Sequence, residues 1–187
     1  FDDRRKVEMF IIESEPEINI DILMERTAKR SVFSTNFSTS PISRKSNIAL
    51  AARYLNGYII EPKGTMSFNE AVGPRTPLRG FQKANIIYQG EMVQGYGGGV
   101  CQVSSTVYNA CILGGLEIVK ASRHSRIIPY LPPSRDAMVS ASSDLLIYNP
   151  TEYPVYIITK ATQNELFIAV YGQKPEYELK ISNRIVK

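Results

Sequence analysis

One histidine, His124, and two cysteines, Cys101 and Cys111, are the only nitrogen and sulfur side chains of metal-ligating or thiol chemistry in this 187-residue chain. They show no metal-ligand spacing, so neither a metal nor another cofactor is expected. Ten residues apart on one helix, the two thiols would lie ~15 Å apart, too far for a disulfide. Charge of one sign is also scarce. A net charge of +4 spread along the chain argues little for nucleic acid and suits an anionic polymer equally well. No internal repeat is visible. No G-x-x-x-x-G-K-[ST] accompanies the glycines at 97–99, which excludes a P-loop nucleotide cradle. The longest uncharged stretch, Met92–Leu116, contains Gln94, Gln102, Ser104, Ser105, Thr106, Asn109 and six glycines. Hydrocarbon would not accept that composition, so it reads as a buried segment of a folded domain and not as a membrane span.

Hydrophobic residues make up 43% of the chain and charged residues 21%, which excludes a disordered or collagen-like polymer. The length suits one domain with a small appendage. Lys6–Ile12 reads as a strand and Ile22–Ala28 as part of a helix. Residues 1–30 have their own composition and are expected to be the end of a preceding domain, with 31–187 forming the main one. The opening Phe1-Asp2-Asp3-Arg4 reads as a cut inside a longer protein. Ser31–Pro41, polar and β-branched, reads as an extended connector across the surface.

Arg44–Leu55 is an amphipathic helix with Ile48, Ala51, Ala52 and Leu55 on one face, closed by Asn56-Gly57. Tyr58–Ile60 is a strand and Glu61–Gly64 a turn with proline second. Phe68–Gly80 reads as loop and Ala84–Tyr88 as strand. After Gly97-Gly98-Gly99 a second helix runs from Val100 or Cys101 to Leu113, with Val103, Val107, Ala110 and Cys111 on one face. From Leu116 onward the pattern is β: Leu116–Val119, Ser125–Tyr130, Ala137–Ala141, Asp144–Tyr148, Val155–Thr159, Leu166–Tyr171 and Tyr177–Ile181. Two helices followed by short, turn-separated strands predict an α+β fold, its Cys-bearing helix packed on a mainly antiparallel sheet.

Cys101 follows three glycines and opens a helix. The first helical turn offers free N–H groups and about half a positive charge. Both favour thiolate over thiol, and the same N–H groups can hold the oxyanion formed when a thiolate attacks a carbonyl. Glycines at 97–99 would let a substrate backbone approach closely. His124 would be general base and acid, with Asp136 or Asp144 fixing its tautomer; Asn149 is a weaker third candidate. Gln102 and the helix-start N–H groups would stabilise the oxyanion. Cys111 reads as a small core hydrophobe. His124 stands between Arg123 and Ser125-Arg126, a setting that fits either a neutral base or a surface anion site. Arg75, Arg79, Arg123 and Arg135 are candidates to grip substrate carboxylates. The order Cys, His, Asp, with the cysteine at a helix start, is similar to papain-like and transglutaminase-like cores.

Around Gly97-Gly98-Gly99-Val100-Cys101-Gln102-Val103-Ser104-Ser105-Thr106 the sequence resembles the VanW family. The likeness begins near Phe33-Ser34-Thr35 and includes Arg44, Asn47-Ile48, Asn56-Gly57, Pro62 to Asn69 and Val72 to Thr76. It closes with Tyr108-Asn109-Ala110, His124-Ser125, Arg135-Asp136-Ala137 and Asp144-Leu145, covering about residues 33–172. Pro132-Pro133-Ser134 replaces a glycine-containing turn more usual in relatives. The resemblance implies a bacterial, extracytoplasmic, envelope-associated protein whose partner is peptidoglycan or its peptide stem. It also implies a preceding peptidoglycan-binding domain, sometimes a G5 module, and a membrane anchor upstream of this sequence. Two readings follow: a cysteine-dependent hydrolase or transpeptidase of cell-wall amides, and a module that binds peptidoglycan without cleaving it.

Overall fold

The computed structural model describes Met24, residues 26–88, residues 90–175 and Leu179. Strand β1 (Ala28–Asn36) leads into helix α1 (Ile42–Leu55) and β2 (Tyr58–Ile60). Then come β3 (Thr65–Ser67), the short helix α2 (Phe68–Val72), a 3₁₀ turn (Pro77–Arg79) and the hairpin β4 (Lys83–Tyr88) and β5 (Glu91–Tyr96). Helix α3 (Val100–Leu113) is followed by β6 (Glu117–Lys120), β7 (Leu146–Tyr148), β8 (Val155–Ala161) and β9 (Glu165–Gly172). The fold is α+β, and its strand pairs are antiparallel.

A four-stranded sheet of order β1-β9-β8-β2 forms the base. Period-two alternation in β9 buries Leu166, Ile168 and Val170 on one face, joined by Val155 and Ile157 of β8. Helix α1 lays Ile48, Ala51, Ala52 and Leu55 on this face above β8, and α3 lays Val103, Val107, Ala110 and Cys111 above β1 and β9. A smaller sheet, β3-β7-β6, adds Met66 and Ile147 to the same core. The β4–β5 hairpin pairs only with itself. Among the described residues no helix is long and apolar enough to cross a membrane.

Several expectations are corrected. Ser31–Pro41 is no surface connector, because most of it belongs to β1, paired with β9 from Ala28↔Gly172 to Asn36↔Glu165. It lacks strand-like hydrophobicity because α3 meets it through polar groups. Thr35 Oγ1 lies 2.8 Å from Thr106 Oγ1, and Ser31 Oγ donates to the Ala110 carbonyl at 2.6 Å. Phe68–Gly80 holds α2, whose N-terminus is capped by Ser67 Oγ accepting from Glu70 N, and the 3₁₀ turn. Strand β5 was not anticipated from the sequence. Ser125–Tyr130 and Ala137–Ala141 are not strands; a single bridge joins Met138 to Ser122, ahead of the first segment. The expected strand at 6–12, residues 22, 23 and 25 of the expected helix at 22–28, and 177–181 apart from Leu179 lie outside the described residues, as does most of the expected tail 1–30. Ala28 itself begins β1.

Asn149 is fully buried and welds the two sheets. Its Nδ2 donates to the carbonyls of Ile60, Glu61 and Tyr153 at 3.0, 3.2 and 2.8 Å, and its Oδ1 accepts from Thr151 N and Oγ1. That occupation removes it as a partner for His124. Replacing it leaves several buried carbonyls unbonded. Asn149→Ala is expected to lower unfolding stability by about 3 kcal/mol, measured as a fall in the urea midpoint at constant slope.

Candidate active site

The site begins with a row of polar side chains buried on α3. Ser104 Oγ donates to the Ala137 carbonyl at 2.6 Å, and Ser105 Oγ accepts from Ala137 N at 3.0 Å. Asn109 Nδ2 donates to the Arg135 carbonyl at 2.8 Å, and Arg135 Nε returns a bond to Asn109 Oδ1 at 2.9 Å. These bonds pin residues 135–137 along the helix, although that segment belongs to no sheet. The Ser122↔Met138 bridge runs antiparallel, with Met138 N donating to the Ser122 carbonyl at 2.7 Å. Two residues inward from the bridge on each side, His124 therefore faces Asp136.

Asp136 Oδ2 accepts from the backbone N of His124 at 2.7 Å and lies 2.6 Å from its Nδ1. Cys101 acts on the same imidazole, its sulfur being near enough to favour the protonated ring. Burial alone would lower the His124 pKa. The interactions with Cys101 and Asp136 outweigh it and raise the pKa above the ordinary 6.5. Burial pushes Asp136 upward, but the backbone and side-chain bonds from His124 dominate and hold it below 3.8. Both side chains are largely shielded, 6% and 11% exposed. The half-buried Cys101 also donates its thiol to the Val139 carbonyl at 3.3 Å.

Cys101 is the second residue of α3. The flanking amides are occupied, Val100 N on the Gly97 carbonyl and Gln102 N on the Gly99 carbonyl, each at 3.0 Å. Among the described residues the Cys101 amide has no such turn partner, which suits it to receive an oxyanion. Cys101 and His124 line a cleft of about 1290 Å³. Cys111 is fully buried, and burial pushes its thiol pKa up.

Asp144 is not part of this array. Its carboxylate accepts from Ser67 Oγ, Asn69 N and Leu145 N, so it fixes the start of α2 instead. Gln102 does not serve as an oxyanion donor either. Its Nε2 is engaged by Thr35 Oγ1 and the Asn36 carbonyl, both at 3.0 Å, and its Oε1 is buried without a partner. Arg123 is exposed and outside the cleft lining. Arg135 is turned to Asn109 and the Phe33 ring, and Arg79 clamps the carbonyls of Val72 and Pro74. Of the arginines proposed from sequence, Arg75 alone lines the cleft.

The glycine triplet also lines the cleft, but its missing Cβ atoms are filled by the protein itself. A Cβ on Gly98 would stand 2.6 Å from the Asn85 carbonyl oxygen. One on Gly97 would meet Arg75 Cβ and Cγ at 2.9 Å, and one on Gly99 would meet Arg44 Cγ at 3.0 Å. Gly97 and Gly99 also have φ of 82° and 108°, a region other residues rarely adopt. Their close approach seats two arginines, Arg75 and Arg44, beside the helix start.

Sequence reasoning missed Arg44 and Tyr130. Arg44 Nη1 donates to Ser40 Oγ at 2.7 Å, and its guanidinium lies 5.8 Å from the Tyr130 ring centre. Burial first, then the charge of Cys101, pushes the Tyr130 pKa up. Burial lowers the pKa of both Arg44 and Arg75 against the opposing influence of Cys101. The available signal was Arg44 one turn before Asn47, whose amide bonds to Gln82 and Gly98 fasten α1 to the glycine turn.

A family model described as VanW like protein matches residues 43–171. Over 169 residues the chain is 38% identical to the uncharacterized protein YoaR of Bacillus subtilis (strain 168), a match spanning 89% of this chain and 56% of that protein. It is 26% identical over 146 residues to the vancomycin B-type resistance protein VanW of Enterococcus faecalis (strain ATCC 700802 / V583), covering 73% of this chain and 52% of that one. The chain thus spans about half the length of the curated relatives it matches. No solved structure gives a significant match.

The His124–Asp136 pair sets a pH window for stability. His124 has a raised folded pKa, so its contribution is fully present below the unfolded value of 6.5 and fades as pH rises through the folded pKa. Asp136 is depressed, so its contribution is present above 3.8 and is lost as pH falls through the folded pKa. The Tm difference between the wild type and His124→Gln is expected to be larger at about pH 5.5 than at about pH 9, read by thermal melts in matched buffers.

Proposed function

The chain belongs to the VanW-like family, and on that footing we propose that it is a cysteine acyl-transfer enzyme acting on amide bonds of cell-wall peptides. The observation that carries this reading is the Cys101–His124–Asp136 array on the wall of the cleft. The enterococcal relative's name ties it to vancomycin resistance, which directs the substrate search to the cell wall. The site of action would be extracytoplasmic, where that polymer lies.

In the first step His124 takes the Cys101 proton and the sulfur attacks the amide carbonyl carbon. The Cys101 N–H faces the oxygen that becomes negative. Asp136 keeps Nδ1 engaged, so the other ring nitrogen carries the proton and hands it to the leaving amine as the C–N bond breaks. The acyl group is then a thioester on Cys101. An acceptor loses a proton to His124, attacks the thioester and restores the thiol. Water as acceptor gives hydrolysis, and an amine gives transpeptidation.

Purified soluble peptidoglycan fragments, incubated with the protein and analysed by mass spectrometry, test this. Cleaved or cross-linked peptides are expected with the wild type. Cys101→Ala should reduce their formation by at least about 10³-fold and Asp136→Asn by about 10²–10⁴-fold. Fragments retained equally by wild type and Cys101→Ala, with no product from either, would instead establish a non-catalytic binding module.

A further inference from the structure

Among the described residues, those lining the cleft include Arg44, Arg75 and Arg126 and not one aspartate or glutamate. Two of these arginines are placed for recognition. The stems of Arg75 and Arg44 pack against Gly97 and Gly99, on the turn that delivers Cys101. Their described bonding partners are neutral: Asn69 Oδ1 at 2.6 Å for Arg75 Nη2, and Ser40 Oγ at 2.7 Å for Arg44 Nη1. The Phe68 and Tyr130 rings lie 6.0 and 5.8 Å from the two guanidinium carbons. The ion pairs among the described residues, Lys63 with Glu152 and His124 with Asp136, involve neither arginine. The charge of Asp144 reaches Arg75, but the carboxylate is engaged by Ser67, Asn69 and Leu145.

Half-buried guanidinium groups without a directly paired counter-ion are costly, and a ligand anion removes the cost. The Cys101 sulfur does not fill that role, because one transient negative charge, shared with His124, faces two permanent positive ones. Each guanidinium has five N–H donors in a planar fork that matches a carboxylate. We infer that Arg44 and Arg75 form a receptor for a carboxylate that the substrate carries beside the amide attacked by Cys101. This rests on Cys101 being the nucleophile. The carboxylate belongs either to the leaving residue, as a free C-terminus, or to the residue that supplies the acyl group.

The test compares alkylation of Cys101 by iodoacetate, an anion, and by iodoacetamide, its neutral counterpart. Rates come from peptide mass spectrometry, with glutathione as the reference thiol. Relative to glutathione, Cys101 is expected to favour iodoacetate by at least about tenfold, a preference that high salt diminishes. Arg44→Gln and Arg75→Gln should each erase most of it, and Arg44→Lys and Arg75→Lys should keep part. Lys160→Gln, which removes the same charge from an exposed position of β8, should leave it unchanged. The wild-type comparison needs no variant to fold. Brisk reaction with both reagents at the glutathione ratio would overturn the carboxylate receptor while leaving the nucleophile standing. A Cys101 inert to both would overturn the two together. Protection from iodoacetamide by N-acetyl-alanyl-alanine, but not by its C-terminal amide, would place the carboxylate on the leaving residue. Protection by N-acetyl-glutamyl-alanine amide would place it on the acyl residue, and protection by none of these peptides would overturn the receptor.

Discussion

Ser104, Ser105 and Asn109 stand on a helix whose other side is packed in hydrocarbon, and their side chains hold the backbone of Arg135 and Ala137. Everything chemical in the cleft hangs from those bonds. Away from water a polar group has to find a protein partner, and breaking one such bond strands both ends. The segment 135–137 has no sheet to place it, so α3 does the placing. Asp136 follows from that anchoring, the imidazole follows from Asp136, and the thiol of the same helix completes the circuit. One helix thus carries the sulfur and fixes the carboxylate that orients the histidine.

A second constraint is steric and acts through missing atoms. Side-chain-free positions at 97 and 99 let the stems of Arg75 and Arg44 close on the turn ahead of Cys101. Asn47 fastens that turn to α1 through Gly98 and Gln82. Sterics and charge therefore converge on one place: the glycines bring cationic groups next to a sulfur at the positive end of a helix. The local field favours negative charge on whatever occupies the space between them.

The two long helices, the α+β class and the strands that form the middle of the main sheet were legible because their hydrophobic periods are strong. Leu166, Ile168 and Val170 alternate cleanly, and Ile48, Ala51, Ala52 and Leu55 recur at helical spacing. Strand β1 was not legible, since Ser31 and Thr35 meet α3 through hydroxyls and carry no hydrophobic signal. The residue types of the array could be read from Cys101 at a helix start and the single histidine. The choice of Asp136 over Asp144 could not. It depends on a one-bridge register and on serines whose partners lie more than thirty residues away. Gln102 misled because its position beside Cys101 suggested a donor, whereas its amide serves the pairing of α3 with β1. Arg44 escaped notice because an arginine in the first turns of an amphipathic helix looks like ordinary solvated charge.

The pairing of β1 with β9 joins one end of the described chain to the other. Helix α3 lies across both of these strands, yet β9 leaves the ribosome long after β1 and α3 have been made. Until β9 arrives the helix has no complete floor. Contacts of such long sequence separation form late and slowly. Between the making of Cys101 and that of Glu165–Gly172, the helix that carries the thiol therefore stands on an incomplete sheet.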